Sequence, residues 1–180
     1  KRFFSSLGIP FVTSEGLADA VAQGRKVAGA EFCAPIAALH GHVAHLVDKA
    51  DFLFLPFFLE ESEPDSRAHR MYCQYTQYSS ALAAGIDGGR IRARCLMPLM
   101  SFSRWKERTK RELYETLDRA GVPRLTPALV ARAFDRAVAF QEAAVRRLQK
   151  RFRDEEKSDF GAGTARDGEP RVLLIGRPYT

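Results

Sequence analysis

Short apolar runs alternate with longer segments of helical periodicity along the chain. Runs of strand length occupy residues 9–13, 51–58 and 91–100. Near-continuous apolar strands separated by helices are typical of a parallel sheet that is covered on both faces. The pattern therefore predicts an α/β protein of three layers, with a Rossmann-like, mostly parallel sheet of about four strands flanked by helices.

The earlier helices begin and end at residues that commonly cap helices. A helix after Ser14 is expected to be short, because Gly24 and Gly29 interrupt its apolar pattern. Pro35 fits the first turn of the next helix, and residues 67–84 are again compatible with a helix.

Two charged helices follow the last apolar run. The first is predicted over 105–120, and the second begins at Thr126-Pro127 and runs for about 25 residues. Its apolar residues recur at helical intervals, so they are expected to pack as one buried stripe. The stripe consists of Val130, Phe134, Val138, Val145, Leu148 and Phe152.

The composition changes near the end of the chain. Residues 1–153 are expected to form one α/β domain, and the charged, Gly-containing stretch 154–169 to be a linker. Residues 170–180 return to an apolar strand pattern, which is typical of the first strand of a following α/β domain. Because the chain begins at Lys1 rather than at Met, we expect it to be a fragment of a larger multidomain protein.

Basic residues are concentrated in the second half of the chain. Residues 90–153 contain 17 Lys and Arg against 6 Asp and Glu, within a net charge of +6 for the whole sequence. Nucleic-acid binding would need exposed aromatic residues among the arginines, whereas most aromatic residues here lie on apolar stripes. The pattern favours a solvated face or a contact with an acidic neighbouring domain or a phosphorylated ligand, and it argues against nucleic acid.

The cysteine count and the hydropathy indicate the compartment. Three cysteines at irregular spacing do not make a disulfide framework, which favours a reducing environment. No apolar run approaches the roughly 20 residues that a membrane helix needs. We therefore predict a cytoplasmic protein without a membrane segment.

Two cysteines are candidate metal ligands. Cys33 precedes the helix that contains Pro35, where unpaired amides and the helix dipole favour a thiolate. Cys73 follows an acidic loop and could reach the same end of the sheet. The alternative is that both are small buried apolar residues. A zinc site is disfavoured, because His40 and His42 point to different sides of a helix.

Several short motifs add a family resemblance to these patterns. Together they resemble the acyl-CoA dehydratase activase-related proteins, of the 2-hydroxyacyl-CoA dehydratase and double-cubane-cluster group. The motifs are Leu7-Gly8-Ile9-Pro10, Cys33-x-Pro35, Gly41-His42, Asp51-Phe52-Leu53-Phe54-Leu55-Pro56, Tyr72-Cys73, Pro98-Leu99-Met100-Ser101-Phe102 and Leu174-Ile175-Gly176-Arg177-Pro178-Tyr179.

The resemblance implies a cofactor, a partner and a role. Cys33 and Cys73 match cysteines that ligate an iron–sulfur cluster, which receives electrons from an actin/Hsp70-type ATPase activase domain, expected in the same polypeptide. The implied role is ATP-dependent, low-potential electron transfer in a reductase or a 2-hydroxyacyl-CoA dehydratase-type system. The implied substrate of that system is a CoA thioester or a similar small molecule. The catalytic residues, the substrate and the oligomeric state stay unassigned.

The chain departs from the family pattern where further cysteines are expected. Gln74 stands in place of the proline of a Cys-Pro pair, and Phe57 and Gln77 stand where relatives carry additional cysteines. Cys95 matches no family cysteine. Since a cubane cluster usually takes four thiolates, the alternative is a cluster-free scaffold or interaction domain of the same large protein.

Overall fold

The computed structural model describes residues 1–60, 71–101 and 106–160 of the chain. Helices and short strands alternate, and the strands pair in parallel, so the mixed α/β class is confirmed. The chain divides into two compact units, Lys1–Ala137 and Val138–Thr180. The α-helices (α), 3₁₀-helices (η) and strands (β) are, in order, α1 (Arg2–Leu7), α2 (Ala20–Val27), α3 (Ala34–Leu46), β1 (Leu53–Phe54), β2 (Phe57–Phe58), α4 (Gln74–Gln77), α5 (Ser79–Ala83), η1 (Ile86–Gly89), η2 (Arg92–Arg94), β3 (Cys95–Leu96), β4 (Leu99–Met100), α6 (Lys106–Arg119) and α7 (Pro127–Phe160).

The four strands share one continuous register. β1 pairs with β3 and β2 with β4, and each partner lies 42 residues further along the chain (95 − 53 and 99 − 57). Pro56 and Pro98 keep this spacing, so they stand opposite each other between the two pairs. The Leu55 amide donates to the Leu96 carbonyl (2.8 Å) and the Phe57 amide to the Pro98 carbonyl (2.9 Å). The two pairs are therefore one parallel ladder with a shared interruption.

The interruption follows from the two prolines. In a parallel ladder a residue points its amide and its carbonyl to the same side. The Pro98 carbonyl faces Phe57, so an N–H at position 98 would donate to the Leu55 carbonyl, and proline has none. The Pro56 carbonyl faces the other way and accepts a hydrogen bond from Ser80 Oγ (2.7 Å). The sheet therefore loses one ladder bond at Pro98 and none at Pro56.

Two of the three predicted strands are confirmed in place, and one is wrong. The runs 51–58 and 91–100 contain the four short strands, although the second run begins with a 3₁₀ turn. Residues 9–13 form no strand. Phe11 is 41% exposed and Val12 is 51% exposed, so this apolar run lies along the surface and not in a sheet.

The main core lies beneath the ladder. Its fully buried members come from α3, β1, α5 and the residue before η2, and they are Val43, Leu53, Ala83 and Ile91. Partly buried side chains from these and neighbouring segments pack around them, namely Leu39, Leu46, Val47, Leu55, Ile86 and Cys95. Helix α3 is thus anchored to the sheet.

Helices α2 and α3 cross at two glycines. A Cβ on Gly24 would overlap the Ala37 carbonyl, and a Cβ on Gly41 would overlap the Ala20 carbonyl. The two backbones therefore touch, which only glycine permits at these positions. The expectation that Gly24 interrupts the helix is wrong, because α2 continues through it to Val27.

Arg94 ties the start of β3 to the end of α3. Its Nη2 donates to the Val47 carbonyl and to the Ala50 carbonyl (3.1 Å). The last carbonyls of a helix have no partner within the helix. Arg94 supplies a partner to the C-cap carbonyl of Val47 from 47 residues further along the chain.

Helix α7 is longer than predicted and only partly packed. In the first unit Val130 and Phe134 are buried, as expected. In the second unit Val145, Leu148 and Phe152 are 40%, 69% and 68% exposed, so the prediction of one buried stripe is wrong for this half. Within the described ranges, no helix combines the length and apolar character of a membrane-spanning segment.

The predicted domain boundaries concern the end of the chain. α7 continues to Phe160, into the stretch 154–169 that the sequence predicts as a linker. Residues 161–169 and the predicted strand at 170–180 lie outside the described residues. The linker and the following domain stay predictions.

Candidate functional site

Cys33 is the N-cap residue of α3, as predicted. Its backbone angles are φ −59° and ψ 155°, and Pro35 lies in the first turn that follows. Proline fits there because the first amides of a helix have no intrahelical acceptor. The Cys33 side chain is exposed, so the expectation of a small buried apolar residue is wrong for this cysteine.

Cys73 occupies the same position at a second helix. It is the N-cap of the one-turn helix α4, with φ −60° and ψ 154°. Its side chain is exposed, and Cys73 Sγ lies 3.2 Å from Thr76 Oγ1. A hydroxyl at this distance can donate to a thiolate or accept from a thiol, so Thr76 holds the cysteine side chain in place.

Aromatic contacts join the two cysteine-bearing turns. Phe32, immediately before Cys33, meets Tyr75 edge to face, with ring centroids 5.8 Å apart. The other side of Phe32 stacks on the His40 ring at 5.2 Å. Because Tyr75 lies two residues after Cys73, the contact places the N-terminal turns of α3 and α4 beside each other. Sequence reasoning missed Phe32, Tyr75 and Thr76, whose only signal is their closeness to the cysteines along the chain.

Cys95 has a different environment. It begins β3, and its Sγ donates to the Ile91 carbonyl at 3.3 Å. Burial raises the pKa of the Cys95 thiol, against the opposing effect of Arg94 and Arg92. The side chain packs against the core cluster. Cys95 is therefore a structural thiol and a poor metal ligand.

The histidines of α3 also have structural environments. His40 is buried, and its Nδ1 lies 2.8 Å from the Ile36 carbonyl of the same helix. His45 Nε2 lies 2.7 Å from Lys49 Nζ. The Nδ1 atom of His42 is buried and has no hydrogen-bond partner among the described residues. In the part of the chain that is described, no group of three His, Cys, Asp or Glu side chains is arranged to hold a metal ion.

Part of the basic surface is internally paired. Lys110 Nζ contacts Glu107 (2.8 Å) and Asp135 (3.0 Å). Hydrogen bonds to these two carboxylates raise the pKa of Lys110, with Glu107 contributing most. Arg146 and Arg151 each pair with a glutamate four residues away on α7. Exposed pairs of this kind are typical of a solvated helix face.

Comparison with known proteins gives one match. The model of the family described as "CoA enzyme activase uncharacterised domain (DUF2229)" matches residues 1–180. The comparisons with curated proteins and with solved structures found no significant match. Since the family model spans the whole sequence and agrees with the resemblance carried by the cysteine, glycine and proline motifs, the chain belongs to the CoA enzyme activase uncharacterised domain family.

Proposed function

We propose that this activase-family domain takes part in ATP-dependent electron transfer by supplying two thiolates, Cys33 and Cys73, to an iron–sulfur cluster. The observation that carries the proposal is the matched geometry of the two cysteines. Both are exposed N-cap residues with nearly the same backbone angles, and the Phe32–Tyr75 contact holds their turns together. Thiolates at helix N-termini are well suited to bind iron.

The residues present fit part of a cluster site. A cubane cluster usually takes four cysteine ligands, and Cys95 is directed into the core. The proposal therefore requires further ligands from another subunit or from other domains of the parent protein. When bound, the cluster supplies one-electron transfer at low potential. The chain holds and orients its two thiols, with Thr76 positioned to hydrogen-bond to Cys73 Sγ.

The partners and the larger architecture belong to the same proposal. An actin/Hsp70-type ATPase would provide the electrons, and a dehydratase-type component acting on a CoA thioester would receive them, in the cytoplasm. The parallel ladder would be part of a larger Rossmann-like, three-layer sheet in a multidomain protein. The family description, which names a CoA enzyme activase, supports this assignment.

Anaerobic reconstitution tests the cluster. The chain, alone and within its parent protein, is loaded with iron and sulfide, and iron content and electron paramagnetic resonance spectra are compared with those of the Cys33→Ser, Cys73→Ser double variant. Cys95→Ser is the matched control, because its thiol packs against the core cluster and is hydrogen-bonded to the Ile91 carbonyl. We expect the double variant to lose iron and the control to retain it. Equal iron in the double variant and the unaltered protein would remove the assignment.

A second candidate is a cluster-free scaffold or interaction domain. The observation that favours it is that the described residues offer two exposed thiols but no group of three candidate ligands. This function predicts that the anaerobically purified parent protein contains no iron held by this domain. It also predicts that the double cysteine variant still binds its partner domains.

A further inference from the structure

The part of α7 that belongs to the second unit carries an exposed apolar stripe. Val145, Leu148 and Phe152 are separated by three and then four residues, so all three lie within roughly 60° of the helix surface. Each of these side chains is at least 40% exposed, and Leu148 and Phe152 line a surface groove. Large apolar side chains repeated along one face of a helix are typical of a surface that packs against a partner. The described residues leave this face uncovered.

The stripe belongs to a heptad pattern with seam positions a and d. These positions are held by Val138, Gln141, Val145, Leu148 and Phe152, in the order a-d-a-d-a. β-branched residues at a with leucine at d favour two parallel helices, and a single polar residue in the seam fixes their register. The next d position is Glu155, where two carboxylates would meet, so the seam ends after Phe152.

The charges beside the stripe are complementary between two parallel copies. In a parallel pair each g position faces the e position five residues further along the other helix, so Arg151 faces Glu156. Arg151 Nε also donates to Glu155 of its own helix (2.7 Å), and the remaining donors of its guanidinium are enough for a second carboxylate. An antiparallel pair would instead bring the e positions together, where Glu142 and Glu156 repel each other.

The same charges argue against a lipid surface as the occupant. Glu155 and Glu156 border the end of the stripe, and an anionic membrane would repel them. Arg147 and Lys150 project from the opposite side of the helix, because they lie more than about 120° around it from the centre of the stripe. These basic side chains stay in water when the stripe is covered by a second helix.

We propose that α7 pairs with α7 of a second copy of this chain as a parallel two-stranded coiled coil over residues 138–152. Val145, Leu148 and Phe152 form its seam, and Arg151 pairs with Glu156 of the partner subunit. Two heptads bury a small surface, so the pair is reversible, with a Kd on the order of 10 µM. The pairing uses neither Cys33 nor Cys73 and stands or falls independently of the iron–sulfur assignment.

Sedimentation equilibrium of the full chain, from about 1 µM to about 500 µM, tests the pairing. We expect a monomer–dimer equilibrium that Leu148→Gln and Phe152→Gln each weaken at least tenfold, since each removes an apolar side chain from both helices. Glutamine keeps a high helix propensity, and circular dichroism confirms that α7 is intact. Lys150→Gln, on the opposite side of the helix, is the matched control and should dimerise as the unaltered chain does.

Disulfide cross-linking tests the direction of the two helices. Gln141→Cys, made in a Cys33→Ser, Cys73→Ser background that lacks the exposed thiols, should give a covalent dimer on oxidation, because parallel helices place position 141 beside its counterpart. Lys150→Cys in the same background should not. A monomer over the whole concentration range, dimerisation unchanged in both glutamine variants, or a dimer in which Gln141→Cys does not cross-link would each overturn the proposal. So would binding of the monomer to anionic vesicles through Leu148 and Phe152, which would assign the stripe to a lipid surface.

Discussion

Gly24 and Gly41 face each other at the crossing of α2 and α3, each leaving room for the backbone of the opposite helix. A Cβ on Gly24 would lie 2.8 Å from the Gly41 nitrogen, and a Cβ on Gly41 would lie 3.1 Å from the Gly24 nitrogen. The obstacles are backbone atoms, which cannot rotate away as a flexible side chain could. The position of α3, and with it that of Cys33, therefore depends on the absence of a side chain at Gly24 and Gly41.

Gly24→Ala should destabilise the protein by more than about 2 kcal/mol, because the added methyl must push two helices apart. Thermal unfolding followed by circular dichroism measures the loss. Arg25→Ala, exposed on the neighbouring position of α2, is the control and should change stability by less than about 0.5 kcal/mol. Equal midpoints for the two variants would show that the helices can separate at little cost.

Thr109→Val should cost about 1 to 3 kcal/mol, because it keeps the side-chain shape but leaves the Ser101 amide and carbonyl without their partner. Thr116→Val on the same helix provides the comparison. Thr116 is buried, and no hydrogen bond of its hydroxyl joins it to another described residue. Urea unfolding should show a larger loss of stability for Thr109→Val than for Thr116→Val. An equal loss in the two variants would contradict the role given to the hydrogen bonds between Thr109 and Ser101.

The Cys95 thiol should make stability fall at alkaline pH. Burial raises its folded pKa above the ordinary thiol value of about 8.5, so the unfolded chain releases this proton first. Its contribution is complete below the unfolded pKa and is lost as the pH rises through the folded value. Denaturant unfolding between about pH 7 and pH 10 should show a steeper decline for the unaltered chain than for Cys95→Ala.

Alkylation gives an independent check on the three cysteines. Cys33 and Cys73 are exposed and should react quickly with iodoacetamide under native conditions, whereas the partly buried Cys95 should react more slowly. Peptide mass spectrometry over time distinguishes the sites. Rapid labelling of Cys95 in the folded protein would show that its environment opens readily.

Replacing Arg146, Arg147, Lys150 and Arg151 with serine should leave folding intact. These side chains are exposed, and the two ion pairs that would be lost are surface pairs worth roughly 0.5 kcal/mol each. Circular dichroism monitors helicity. A filter-binding assay at low salt should detect no tight nucleic-acid binding, and salt-sensitive binding that the four substitutions abolish would refute the assignment of a solvated face.

The sequence predicts features that depend on local pattern. The strand runs at 51–58 and 91–100 and the position of Cys33 before α3 follow from apolar continuity and from Pro35, and these predictions are confirmed. The role of Gly24 could not be predicted from the sequence. Glycine weakens an isolated helix, but here it allows α3 to pack closely against α2, and the sequence does not reveal that contact.

The same limit applies to packing partners. Nothing local indicates that Tyr75 contacts Phe32, since the two lie on separate elements. Periodicity gives the apolar stripe of α7 but does not say how far along the helix a partner surface extends. Leu148 and Phe152 therefore continue the pattern of Val130 and Phe134 without sharing their burial.

The 42-residue spacing of the parallel ladder has a consequence for folding and synthesis. No rung can form until a segment of that length has closed into a loop, an entropic cost that local helices do not meet. During translation, β1 and β2 cannot pair with β3 and β4 until Met100 has left the ribosome. A chain cut before β3 would carry these strands unpaired permanently, and such segments are prone to aggregate. The shortest soluble N-terminal fragment should therefore extend past Met100.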